Sequence, residues 1–105
     1  QPSRRNMSRH LKHFQVAPKI AFGAVGDRTR LSLVCSDRPG LLAAVSQAMA
    51  DAEVRVHDAR IATFGERVED FFLITDRRNA PLGVVQQDRL LHALLDRLGA
   101  ARRAG

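Results

Sequence analysis

The sequence predicts an α+β domain: a four-stranded antiparallel sheet with two helices on one face. Three observations carry this. Four short stretches are apolar over strand length. Two longer stretches repeat their apolar residues at helical spacing. A Pro and a Gly at Asp37-Arg38-Pro39-Gly40 mark a junction from strand to helix.

Taken in order, residues 1–15 read as a linker or basic arm, and residues 16–105 as the domain. From Val16 to Val25, Val16, Pro18, Ile20, Phe22 and Ala24 share one phase, which is strand spacing, and Pro18 suits a strand start or an edge. Gly26-Asp27-Arg28 is a turn. Thr29 to Ser36 follows as a second strand, with Leu31, Leu33 and Cys35 in phase. So short a connection makes the pair antiparallel. After the junction, Leu41, Val45, Ala48 and Ala52 recur at helical spacing, with Leu42 and Met49 alongside; Asp37 is expected as the N-cap. Val54 to Phe64 is a strand whose phase slips near His57-Asp58, because Val54 and Val56 belong to one phase and Ala59 and Ile61 to the other. A slip of one residue implies a bulge there. Gly65-Glu66 turns the chain. Arg67 to Thr75 has Val68, Phe72 and Ile74 on one face and Phe71 and Leu73 on the other, which suits a central strand. A turn-rich loop, Asp76 to Pro81, leads to a helix from about Val84 to Ala100. Its apolar stripe is read as Leu91, Leu94, Leu95 and Leu98, with Gly99 as its end.

The order is β-β-α-β-β-α. From Thr29 onward it is a ferredoxin-like pattern without its last strand. The Val16–Val25 strand, hairpinned onto the next, fills that edge instead. Val34, Phe71 and Leu73 would then lie uncovered on the other sheet face, which predicts a partner or a second copy.

Composition narrows the function. The 105 residues suit a single domain of ordinary apolar content. The lone cysteine, Cys35, excludes an intrachain disulfide and a Cys-based zinc site, and fits a reducing, cytoplasmic setting. No apolar run approaches the roughly 20 residues that span a bilayer, so no membrane partner is expected. The formal net charge of +6 lies wholly in residues 1–30, which hold seven Lys or Arg against Asp27 alone. Such an arm can bind nucleic acid, or be a linker. The start Gln1-Pro2-Ser3, without an initiator Met, reads as a cut from a larger protein, which favours the linker.

No constellation for catalysis stands out. Glu69 and Asp70 are adjacent on a strand, so they point to opposite faces and cannot act as a pair. His10 and His13 lack a nearby carboxylate or thiol, so no metal is expected. His57 reads as a partly exposed sheet residue. An RNA-binding sheet would need aromatic residues in both central strands, and Thr29–Ser36 has none, so no nucleic acid is expected. An amino-acid sensor fits better; the alternatives are a ligand-free interaction or dimerisation module and, less favoured, a nucleic-acid-binding ferredoxin-like domain. The first turn of the helix offers N–H groups to an α-carboxylate. Gly40 lets a ligand come close to the backbone. Asp58, at the bulge, is the candidate acceptor for an ammonium or amide.

These residues resemble a known family. Leu31-Ser32-Leu33-Val34-Cys35-Ser36-Asp37-Arg38-Pro39-Gly40-Leu41-Leu42 is similar to the opening strand, loop and helix of ACT domains, regulatory modules that bind amino acids. His57-Asp58-Ala59-Arg60-Ile61-Ala62-Thr63 and Gly65-Glu66-Arg67-Val68-Glu69-Asp70-Phe71-Phe72 resemble the C-terminal ACT domains of bifunctional uridylyltransferase/uridylyl-removing enzymes, which act on the nitrogen regulator PII. The resemblance implies glutamine as ligand. It implies a seat lined by Asp37, Arg38, Gly40, Leu41 and Leu42, with Asp58 as the further partner. It also implies ACT–ACT pairing, a homodimer for the fragment, and no cofactor here. The parent's nucleotidyltransferase and HD hydrolase domains, with Mg and another divalent metal, would lie elsewhere.

Overall fold

A computed structural model describes residues 17–104. The expected linker over 1–15, with His10 and His13, lies outside them. The elements run β1 (Lys19–Val25), β2 (Arg28–Ser36), α1 (Leu41–Asp51), β3 (Arg55–Phe64), β4 (Arg67–Thr75) and α2 (Val84–Ala104). The four strands form one sheet in the order β1-β2-β4-β3, antiparallel throughout. β1 therefore occupies the edge beside β2 that a trailing strand would otherwise fill. Its pairing is local: a two-residue turn joins it to β2, and Gly26 opens that turn at φ 57, a backbone region costly for residues with a Cβ.

One sheet face builds the core. Leu31, Leu33 and Cys35 of β2 and Val68, Phe72 and Ile74 of β4 point at the helices. α1 answers with Leu41, Val45, Ala48 and Met49. α2 answers with Leu90, Leu94 and Leu98, three positions four apart. The buried stripe of α2 is thus centred on Leu94 and runs through Leu90; Leu95 is part-exposed, so the expected line through Leu91 and Leu95 lies on its flank. Gly99 does not end this helix, which continues to Ala104. One glycine in a helix costs only about 1 kcal/mol, too little to stop it. Thr29 Oγ1, buried, accepts the Leu82 N–H at 2.9 Å and ties the approach of α2 to β2. Arg97 Nε donates to Asp51 at 3.1 Å and links the two helices.

α1 closes in a Schellman arrangement. The Val54 N–H bonds Met49 O at 3.0 Å, and the Glu53 N–H bonds Ala50 O at 3.1 Å, with Glu53 left-handed at φ 61. β3 then carries the expected irregularity: its register on β4 shifts between Val56 and Asp58. The bulged residue, His57, hydrogen-bonds Thr75 Oγ1 through Nε2 at 2.7 Å. β3 is an edge strand with one free side, and nearly all its residues are exposed. Among the described residues, no helix is long and apolar enough to cross a membrane.

Candidate functional site

The β2–α1 junction is held from two sides. The Asp37 N–H donates to Glu66 O at 2.7 Å, which fixes the loop to the β3–β4 turn. Arg38 Nη2 donates to Leu98 O at 2.6 Å, which fixes it to α2. The helix cap is Gly40 rather than Asp37. Gly40 is left-handed at φ 77, and no side chain caps the helix. Pro39 and Gly40 form a tight turn before Leu41, and that places the Asp37 side chain one turn too early to cap. A Cβ on Gly40 would meet no atom within 4 Å, so the position demands the backbone angle, not the space. Alanine there would cost about 1 kcal/mol.

The first-turn donors divide into used and open. The Leu41 N–H reaches Arg38 O at 3.3 Å, and the Ala44 N–H reaches Gly40 O at 2.9 Å. Among the described residues, the N–H groups of Leu42 and Ala43 have no partner. They border a groove of about 310 Å³ between α1 and the far half of the sheet. Asp37, Arg38, Gly40, Leu41 and Leu42 all line it, so the structure brings five of the six sequence-derived residues together. Ile61 and Thr63 of β3 and Val68 and Asp70 of β4 form the other wall.

The sixth residue is not brought to this place. Asp58 pairs with Leu73 across the β3–β4 ladder, so it stands on the sheet face away from the helices. It lines a different depression there, with Arg30 and Phe71, and its Oδ1 accepts the neighbouring Ala59 N–H at 2.9 Å. The cause is the bulge: one extra residue at His57 turns Asp58 to the opposite side from the groove.

Asp70 stands where that acceptor was expected. It lies opposite Leu33, on the helix-facing side of a central strand, and only 1 % of it is exposed. Among the described residues, neither of its carboxylate oxygens has a hydrogen-bond partner. Burial first, and the negative charge of Asp37 second, push its pKa from the ordinary 3.8 to about 6. The same neighbourhood, mainly through burial, raises the Cys35 thiol. An unpaired buried carboxylate is costly, so it marks a place where a complementary group belongs. The sequence carried this signal: Asp70 sits in phase with Val68, Phe72 and Ile74, a charge among core positions.

The groove thus sets neutral donors against an acceptor. The α1 end offers two N–H groups and the positive end of the helix dipole. The β4 side offers a carboxylate. Leu42, 51 % exposed, and Ile61, 47 % exposed, leave an apolar rim on the open side. A zwitterion matches that polarity. Among the described residues, no group of three His, Cys, Asp or Glu is placed to hold a metal.

The sequence matches the ACT domain family over residues 29–91, which includes the groove and both central strands. It is 54% identical over 95 residues to the bifunctional uridylyltransferase/uridylyl-removing enzyme of Xanthomonas campestris pv. campestris (strain B100), covering 89% of this chain and 11% of that protein. The enzyme of the same name from Xanthomonas oryzae pv. oryzae (strain MAFF 311018) is 52% identical over the same coverage. That from Pseudomonas aeruginosa (strain LESB58) is 43% identical over 93 residues, 87% of this chain and 10% of its own. The chain therefore spans about a tenth of the length of these relatives. On the match over most of its length, this chain belongs to the ACT domain family.

Proposed function

We propose that this chain is a regulatory, non-catalytic ACT domain that binds free L-glutamine in the groove between α1 and β4. The α-carboxylate takes the open N–H groups of Leu42 and Ala43. The α-ammonium pairs with Asp70, whose sealed carboxylate the rim side chains uncover as the ligand enters. The side-chain amide points toward the apolar rim at Leu42 and Ile61, where a second ACT surface pairs with the domain and closes the groove. The observation that carries this reading is the Asp70 carboxylate, buried and without a partner at the groove wall.

The context supports it. The similar proteins carry, by their names, one activity that adds a uridylyl group and one that removes it. Two opposed activities in one protein run in a futile circle unless a signal selects between them. A ligand-binding domain in such a protein is placed to give that signal by favouring one arrangement of the whole, and a coupling of roughly 1–3 kcal/mol is enough. In this reading the whole protein acts on PII in the cytoplasm. Its metals, Mg and another divalent ion, belong to catalytic domains, and this segment needs no cofactor.

Titration calorimetry of L-glutamine into the 105-residue chain tests the site. Saturable binding that is lost in Asp70→Asn, with the circular dichroism spectrum unchanged, is the expected result. Glutamine binding that survives Asp70→Asn at full strength overturns the assignment.

A further inference from the structure

Among the described residues, no helix or strand covers the sheet face away from the helices. By register this face presents six cations: Lys19, Arg28, Arg30, Arg55, Arg60 and Arg67. Against them stand two carboxylates, Asp58 and Glu69, and Glu69 is already bridged to Arg67 at 3.1 Å. Among the described residues, Arg30 and Arg60 have no carboxylate within ion-pair distance. Both line a depression of about 320 Å³ floored by Phe71, Leu73 and Val25. Phe71 belongs to a central strand and is still 42 % exposed. So the depression combines an apolar floor, of the size that takes one side chain, with two guanidinium groups and the single Asp58 carboxylate on its rim, a net positive edge.

We propose that this open face docks an acidic segment of a partner protein, with one apolar side chain in the depression over Phe71 and carboxylates on Arg30 and Arg60. Charge complementarity selects the occupant. A second copy of the same face would bring like charge against like charge, which disfavours self-association there. Single-stranded nucleic acid needs adjacent stacking platforms; the other exposed ring of this face, Phe64, lies at the far end of β3, four residues past Arg60, with Arg67 over it, and β2 presents Arg30, Ser32 and Val34, with no aromatic ring. Arginine over an apolar anchor is the composition of an energetically dominant contact in protein interfaces. The site is independent of the glutamine groove, which lies on the other side of the sheet.

The test uses a fluorescein-Glu-Glu-Phe-Glu-Glu-amide peptide, labelled on its N-terminal amine, and the whole chain, read by anisotropy. Saturable binding is expected, weakened by roughly tenfold or more in the double variant Arg30→Glu with Arg60→Glu, and also weakened in Phe71→Ser. Arg77→Glu with Arg89→Glu changes the total charge equally, away from this face, and should leave binding within about twofold. Absence of binding, equal loss in both double variants, or tighter binding of oligouridylate than of the peptide would each overturn the proposal. Asp70→Asn should leave peptide binding unchanged, which separates this result from the fate of the glutamine groove.

Discussion

Two neighbouring residues of one strand, Asp70 and Phe71, meet opposite fates. Asp70 turns toward the helices and is sealed from water with its charge unmatched. Phe71 turns outward and keeps its ring part-wet beneath two arginines. The strand's alternation puts a polar group in the dry layer and an apolar group in the wet one. Each is the reverse of what folding alone favours. The difference between them is energetic. Sealing a carboxylate costs stability in every empty molecule, whereas an exposed ring or guanidinium costs almost nothing. A feature kept at high cost points to a tightly fitted small ligand. Features kept at low cost suit a reversible association ruled by charge.

The contrast breaks first on binding. An ammonium held by Asp70 needs the carboxylate ionised, and the group titrates at about 6 in the empty groove. Glutamine affinity should therefore be flat near neutrality and fall toward tenfold per pH unit as acid protonates Asp70 below that value. Binding near pH 6 should release protons, seen as heats that depend on the buffer's ionisation enthalpy. A flat affinity down to pH 4.5 would dissociate Asp70 from the ligand.

Stability sharpens it next. Because burial raises this pKa in the folded chain, the native state holds the proton more tightly than the unfolded chain does. The Asp70 contribution is therefore most favourable below the ordinary value of 3.8. It declines as pH rises to about 6, a loss of about 3 kcal/mol at 1.36 kcal/mol per unit. Asp70→Asn removes that loss but leaves a buried amide. It should gain about 1–2 kcal/mol at pH 7 in urea unfolding, and should flatten the slope between pH 4 and 6. A destabilised variant would mean that the carboxylate has a partner in solution.

The smallest effect lies on the outer face. Arg60→Ala, exposed and without an ion-pair partner among the described residues, should change unfolding free energy by less than about 0.5 kcal/mol at any pH. A larger loss would show that the outer arginines are structural, and the contrast between the faces would fail.

Much of this architecture was legible from periodicity. The strand phases, the slip at His57 and the junction at Pro39-Gly40 each have a local cause, so the sequence exposes them. Five of the six seat residues are consecutive or nearly so, and a loop carries its own residues together. Asp58 failed because its side depends on how many residues the bulge absorbs, a question of pairing with β4 that β3 alone does not answer. Asp70 was visible as a charge in an apolar phase, but its nearness to the loop arises only when β4 is inserted between β2 and β3. In α2, Leu94 and Leu98 of the expected stripe are buried, but Leu90 takes the place of Leu91 for a similar reason: the two are equally apolar, and only the tilt of the helix on the sheet chooses between them.

The hairpin that supplies β1 also bears on how quickly the chain can find its shape. A strand delivered from the far end would have to return across the whole domain to reach β2. A strand delivered through Gly26 and Asp27 zips onto its neighbour within a few residues. Hairpins of this kind close in about 1–10 μs, and lowering the average sequence separation of contacts speeds folding. The long-range pairing left is the docking of the β3–β4 hairpin onto β2, the same event that brings Asp70 beside the loop. Ligand competence and completion of folding should therefore appear together in time.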